Sequence, residues 1–173
     1  MSVLKVDSIQ TTAGAAPTTK DLGFAAGSVV QMQVSRYSGN SPVINNSSYT
    51  TLNRSVTITP KYADSIILVR YSASAYVQSG VQVYATFYRN GTNLYNQSGY
   101  NTNASHQGLT QFYSETGTSF FPSTLEFADT PNSTSALTYA LYAKKIGGPS
   151  SSDAYWPPGS VDTATFTAME IAQ

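Results

Sequence analysis

The stretch that decides the fold is Ile66–Val77, with the sequence IILVRYSASAYV. Its odd-numbered positions are all apolar or aromatic: Ile67, Val69, Tyr71, Ala73, Ala75 and Val77. In an extended chain successive side chains point to opposite faces, so these residues share one face. Polar residues such as Arg70 and Ser72 fall on the other face. The alternation therefore predicts a β-strand with one side in a core and the other side facing out.

Further segments with the composition of strands flank this stretch on both sides. They cover residues 27–34, 50–59, 81–87, 109–113, 120–127, 135–144 and 161–171. Between two of them, Asn90-Gly91 predicts a type I′ hairpin turn, after which Leu94 and Tyr95 would begin the return strand. No stretch has the 3.6-residue apolar period of a long helix. About eight to ten short strands predict an all-β, antiparallel β-sandwich over residues 27–173, and a jelly roll suits this length.

Charge and cysteine content exclude several classes of function. The 173 residues include 9 Lys plus Arg and 9 Asp plus Glu, for a net charge of zero, and no cysteine. A neutral chain lacks the basic surface that binds nucleic acid or an anionic membrane, and no apolar run reaches the ~18 residues of a membrane span. Without cysteine there is no disulfide framework or thiolate nucleophile. The N-terminus lacks the pattern of a secretory signal, so we expect assembly inside a cell and release by lysis.

Residues 1–26 differ from the remainder of the chain. They begin with an alternating apolar segment and continue into a stretch of small residues interrupted by Pro17. Such a segment buries too little apolar surface to form a core of its own. We interpret it as an extended N-terminal arm that docks on another protein. Its anchors would be Val3, Leu4, Val6 and Ile9. The alternative is a frayed terminus.

Candidate catalytic groups are few. The single histidine, His106, lies in an Asn/Ser-rich segment with no adjacent carboxylate to orient it. Polysaccharide hydrolysis needs two carboxylates, and Glu115, Glu126 and Asp129 lie in one stretch and could approach each other across strands. Most carboxylates of a β-protein are solvated turn or edge residues, however. We therefore expect no enzymatic activity, no cofactor and no metal site.

Aromatic residues in the two long predicted loops, 96–108 and 147–160, suggest binding instead. The candidates for surface binding at or within these loops are Tyr95, Tyr100, Tyr155 and Trp156. Aromatic rings beside Asn, Ser and Asp side chains can stack on sugar rings and hydrogen-bond to them. For Trp156 there is an alternative, which we prefer: flanked by Pro157 and Pro158, it packs into the core or a subunit interface and fixes its loop.

Five segments of the chain are distinctive: residues 4–11 (LKVDSIQT), 27–31 (GSVVQ), 58–60 (ITP), 64–69 (DSIILV) and 166–172 (FTAMEIA). These segments resemble small virion proteins of tailed phages, especially phages of cyanobacteria. Residues 88–91 (YRNG), a hairpin after a long inner strand, also resemble the tumour-necrosis-factor-like jelly roll, whose members are usually trimers. The resemblance carries no catalytic residue.

The resemblance implies a structural protein on the virion exterior. We expect a homotrimeric tail-fibre or baseplate-associated appendage that contributes to host contact, with a host cell-surface glycan as a candidate ligand. The arm would bind another virion protein, and neither nucleic acid nor membrane insertion is implied. A capsid decoration or head-fibre protein is the alternative, and a carbohydrate-degrading enzyme is an alternative of another class.

Overall fold

The computed structural model describes residues 25–95, 108–149, 152–159 and 162–173. These residues form ten β-strands: β1 Val29–Ser38, β2 Thr50–Ile58, β3 Ile66–Val77, β4 Gln82–Arg89, β5 Thr92–Asn93, β6 Thr110–Tyr113, β7 Ser119–Asp129, β8 Leu137–Ile146, β9 Ala154–Tyr155 and β10 Thr163–Ile171. No helix among them is long and apolar enough to cross a membrane.

The strands make two antiparallel sheets. Sheet A has the order β1-β10-β3-β7, with β9 also paired to β3. Sheet B has the order β2-β8-β4-β5, with β6 also paired to β4. Each of the seven long strands lies in the opposite sheet from the long strand before it, which is the pattern of a jelly roll. The prediction of an all-β antiparallel sandwich is confirmed.

Strand β3 coincides with the predicted stretch and shows why the pattern was decisive. Ile67, Val69, Tyr71, Ala75 and Val77 are all at most 1% exposed, as the period of two requires. They pack against the inward face of sheet B, where Phe87 of β4 and Leu141 of β8 are fully buried. Each large apolar side chain buried in this way contributes about 1.5–3 kcal/mol.

The predicted hairpin turn at Asn90-Gly91 has the expected backbone. Both residues have positive φ, 47° and 85°, which a type I′ turn needs at its two central positions. The return strand β5 is nevertheless only Thr92–Asn93. The expectation that Leu94 and Tyr95 begin that strand is wrong, because the chain turns inward after Asn93 and buries both.

The residues just before β1 and just after β10 are joined by two backbone hydrogen bonds. The Gly27 N–H donates to the Ala172 carbonyl, and the Ala172 N–H donates to the Ser28 carbonyl, both at 2.9 Å. Residues 1–24, with the predicted anchors Val3, Leu4, Val6 and Ile9, lie outside the described residues. The division into a 1–26 arm and a 27–173 domain stays a prediction.

A fully buried carboxylate, Glu170 of β10, holds the segment between β2 and β3. Its oxygens accept hydrogen bonds from the N–H groups of Lys61 (2.9 Å) and Tyr62 (3.0 Å) and from the Ser65 hydroxyl (2.9 Å). The Gln31 amide donates to it from β1 at 2.7 Å. Glu170 thereby joins the edge strand β1, strand β10 and this connection through one group.

A second polar group joins the two sheets. Asp129 at the end of β7 accepts two hydrogen bonds from Arg89 of β4, at 2.8 and 2.7 Å. It also accepts one from the Tyr139 hydroxyl of β8 at 2.7 Å. Burial, followed by the Asp129 carboxylate, raises the pKa of Tyr139 well above its ordinary value. Sheet A and sheet B are therefore linked by charge as well as by the core.

Candidate functional site

Three aromatic side chains form a row across one end of sheet A. In the strand register Tyr76 of β3 lies opposite Phe120 of β7 on one side and Tyr155 of β9 on the other. The ring centroids of Tyr76 and Phe120 are 5.3 Å apart, and those of Tyr76 and Tyr155 are 6.0 Å apart. We call these three residues the aromatic row. It lies on the outer face of the sheet, and Phe120 is 65% exposed.

The alternation of the strands places the row outward. Ala75 and Val77 on either side of Tyr76 are buried in the core, so Tyr76 points away from it. Its hydroxyl accepts a hydrogen bond from the Gln78 amide at 3.1 Å. The side-chain oxygen of Gln78, Oε1, accepts a hydrogen bond in turn from the Asp153 backbone N–H at 2.5 Å. The central ring is therefore fixed by the loop that carries Tyr155.

An open groove of about 450 Å³ lies over the row. Besides the three rings and Gln78 it is lined by Asn40, Asp153, Pro158, Gly159 and Asp162. The Gly39 N–H donates to the Asp162 carbonyl at 3.1 Å, which joins the two loops that form one wall. Burial and the neighbouring Asp153 carboxylate raise the pKa of Tyr155, so its hydroxyl stays neutral at ordinary pH. The groove thus combines aromatic surface with hydrogen-bonding oxygens.

Trp156, a predicted surface aromatic, is part of the core instead. It is 1% exposed, and its ring packs edge-on against Tyr71 and Phe112, each with centroids 5.0 Å away. Its backbone N–H donates to the Ser41 hydroxyl at 2.8 Å. The alternation of β9 accounts for this, because Tyr155 points outward and the next residue must point inward. The interpretation as a residue that fixes its loop in the core agrees with this position.

The prediction that Tyr95 is a surface aromatic is also wrong. It is 6% exposed, because the turn after β5 folds it against the sandwich. The Asn93 side-chain oxygen stabilises that turn by accepting hydrogen bonds from the Tyr95 N–H (3.0 Å) and from the Thr86 hydroxyl (3.1 Å). Tyr100 and His106 lie outside the described residues. Of the four predicted aromatics, Tyr155 is the one that the structure places in the groove.

Sequence reasoning missed Tyr76 and Phe120 as companions of Tyr155. The available signal was that Tyr76 occupies an outward position in the best-predicted strand. What was missing was the pairing register, since Phe120 is 44 positions further along the chain and β9 was predicted as loop.

The three carboxylates considered for hydrolysis do not come together. Glu126 points outward from β7 and pairs with Arg70 at 3.5 Å, while Asp129, three residues later, points inward to Arg89. Glu115 is exposed before β7. Opposite faces of a strand cannot place two carboxylates on one substrate. Within the described parts of the chain no group of three or more His, Cys, Asp or Glu side chains is arranged to hold a metal ion.

The opposite end of the outer face of sheet A is apolar. Val29 and Met32 are each 55% exposed and Val34 is 43% exposed, all on the edge strand β1. Met32 lies opposite Met169 of β10, which in turn lies opposite Leu68 of β3. We call these five residues the apolar end. Leu68 and Tyr76 are eight residues apart on β3, so the apolar end and the aromatic row are separated by roughly 27 Å.

Comparisons with known proteins give only a distant structural likeness. No family model matches the chain, and no curated protein matches its sequence. A structure of infectious bursal disease virus, Gx strain, aligns with a TM-score of 0.38 at 14% identity. A mutant VP2 protein of the same virus, from derived T=1 particles, aligns with a TM-score of 0.33 at 16% identity. Each alignment covers 84% of this chain and 37% of the viral chain. Both similarities are too distant to define a function.

Proposed function

We propose that the protein is a structural component of a tailed-phage virion, a homotrimeric tail-fibre or baseplate-associated appendage that contributes to host contact. The observation that carries this proposal is the apolar end of sheet A, in a jelly roll whose sequence segments resemble phage virion proteins. Large exposed apolar side chains grouped on one sheet face are unusual on a monomer and favour an interface.

A second copy of the chain is the occupant that the chemistry of this face favours. Met32 and Val34 lie on an edge strand, whose exposed backbone N–H and C=O groups pair with other strands unless something covers them. Closed symmetric assembly covers such an edge without leaving a new one. The net charge of zero gives little repulsion between copies. The resemblance to the tumour-necrosis-factor-like jelly roll, whose members are usually trimers, supports three copies.

The mass of the full-length protein in solution tests the trimer. Light scattering should give about three times the chain mass of 18.5 kDa. Met32→Glu places a charge in the proposed interface and should lower the mass toward that of one chain. Tyr113→Glu is the matched control, because Tyr113 is 51% exposed on sheet B. A monomer at high concentration for the unmodified protein would contradict the trimer.

The N-terminal arm supplies the attachment in this proposal. Residues 1–26 would lose conformational entropy when they dock. Three arms on one trimer would compensate for that loss, because once one arm is bound the others bind at a high effective concentration. Deleting residues 1–26 should leave a folded head that no longer copurifies with particles, measured by mass spectrometry of purified virions. Undiminished incorporation of the truncated protein would refute the docking role.

A further inference from the structure

The groove over the aromatic row has the composition of a small-ligand site. Tyr76, Phe120 and Tyr155 offer ring surface, and the adjacent planes are inclined by 67° and 52°. The rings are therefore not stacked face to face on one another. A volume of about 450 Å³ falls in the range of small-molecule sites.

The polar groups around the row are mostly hydrogen-bond acceptors. Asp153, Asp162 and Asn40 are among the residues that line the groove. The Asp153 carboxylate accepts a hydrogen bond from the Tyr155 hydroxyl, and the Asp162 carboxylate lies beside Gly159. The Gln78 side chain is already engaged with Tyr76 and the Asp153 backbone. Two carboxylates beside an apolar floor suit a ligand with several hydroxyl donors on one edge and C–H groups on a face, which describes a pyranose ring.

Charge narrows the class of sugar. Among the described residues that line the groove, none is Lys, Arg or His and two are Asp. An anionic sugar would lose hydration and meet carboxylates of the same sign, which is destabilising. From the row and the two carboxylates together, we infer that this groove binds a neutral saccharide and discriminates against uronic and phosphorylated sugars. The inference rests on the proposed function, in which such a saccharide belongs to the host surface.

The expected affinity is low for one groove and higher for an assembly. A single open groove that contacts one or two sugar rings should have a dissociation constant on the order of millimolar. Three grooves in a trimer would raise the apparent affinity for a surface that presents many copies of the sugar.

Saturation-transfer-difference NMR on the full-length protein tests the inference. The probes are the methyl glycosides of glucose, galactose and N-acetylglucosamine, with methyl glucuronide as the acidic match to glucose. At least one neutral probe should bind and the glucuronide should not. Phe120→Ala and Tyr155→Ala should each weaken binding about tenfold, the loss of one aromatic contact. Tyr113→Ala, which removes an exposed ring on sheet B, should leave binding unchanged.

The carboxylates have a separate readout that a merely structural role would not change. Replacing both, as Asp153→Asn with Asp162→Asn, should reduce the discrimination against the glucuronide while the melting temperature stays near that of the unmodified protein. Binding of no neutral probe, or equal losses in Phe120→Ala and Tyr113→Ala, would overturn the inference. A Phe120→Ala protein that loses its trimer but keeps sugar binding would assign the row to a protein contact.

These outcomes separate this inference from the proposed function. A protein that is found on virions but binds no probe sinks the saccharide site alone. A protein that binds the probes but is present on no particle sinks the virion role alone.

Discussion

The buried carboxylate of Glu170 provides a quantitative test of how the sandwich is held together. Glu170→Ala removes the acceptor for the backbone N–H groups of Lys61 and Tyr62, which are fixed and cannot turn to another partner. Each orphaned donor costs about 1–3 kcal/mol. The Ser65 hydroxyl and the Gln31 amide can reorient and lose less. We therefore expect the free energy of unfolding to fall by about 3–5 kcal/mol, a large part of the ~5–15 kcal/mol of a typical domain.

Two further variants separate the hydrogen bonds from the mere presence of a side chain. Glu170→Gln keeps an oxygen for Lys61 and Tyr62 but turns an N–H₂ group toward Gln31, so it should lose about half as much. Glu126→Gln is the matched control on the same sheet, because its pair with Arg70 is about half exposed on both sides, at 54% and 48%. Exposed pairs contribute about 0–1 kcal/mol.

The assay is urea unfolding followed by circular dichroism, at one fixed protein concentration, because oligomers gain stability with concentration. A loss for Glu170→Ala within about 1 kcal/mol of the control would refute the role given to this carboxylate. An equal loss in Glu170→Gln and Glu170→Ala would show that acceptor number is not what matters.

Three more predictions follow from other buried groups. A double-mutant cycle on Asp129→Asn and Arg89→Met should show a coupling above about 1 kcal/mol in unfolding free energy, since Asp129 is buried and the Arg89 Nη1 group donates to both of its oxygens; additive losses would contradict it. Burial raises the pKa of Tyr71 and of Tyr139 above the ordinary 10.0, so the unfolded chain ionises first. The free energy of unfolding should stay constant below about pH 10 and fall as the pH rises above it. Ultraviolet difference titration, with unfolding measured at each pH, tests this, and a flat profile would contradict it. Fluorescence of Trp156, the single tryptophan, should be blue-shifted and protected from quenching by acrylamide, because the ring is buried. A signal that acrylamide quenches readily would contradict the buried position.

Fold class was within reach of the sequence because the strands carry a period of two and the turns carry glycine and asparagine. The segment 66–77 and the Asn90-Gly91 turn illustrate this, since both depend on local chemistry. Strand β9 could not be predicted from the sequence, because two paired residues between glycine- and proline-rich stretches leave no periodic signal. Because β9 was not predicted, the sequence did not indicate whether Trp156 points into the core or outward.

The candidate site was predicted only at Tyr155, for a physical reason. Its other rings, Tyr76 and Phe120, reach it through antiparallel pairing between residues far apart in sequence, and register is set by the assembled core. The buried position of Tyr95 has a similar origin, since it depends on the Asn93 turn. Composition indicates that tyrosines are available, but only pairing places three aromatic rings in one row.

Immunogold labelling of intact particles tests the proposed virion role. An antibody to residues 27–173 should be applied to purified particles of the phage that the proposed function implies, and the particles imaged. We expect gold at the tail or baseplate and none on particles made without the protein. Gold confined to the capsid would contradict the host-contact role and indicate a decoration protein, and particles that carry no gold at all would contradict the virion function.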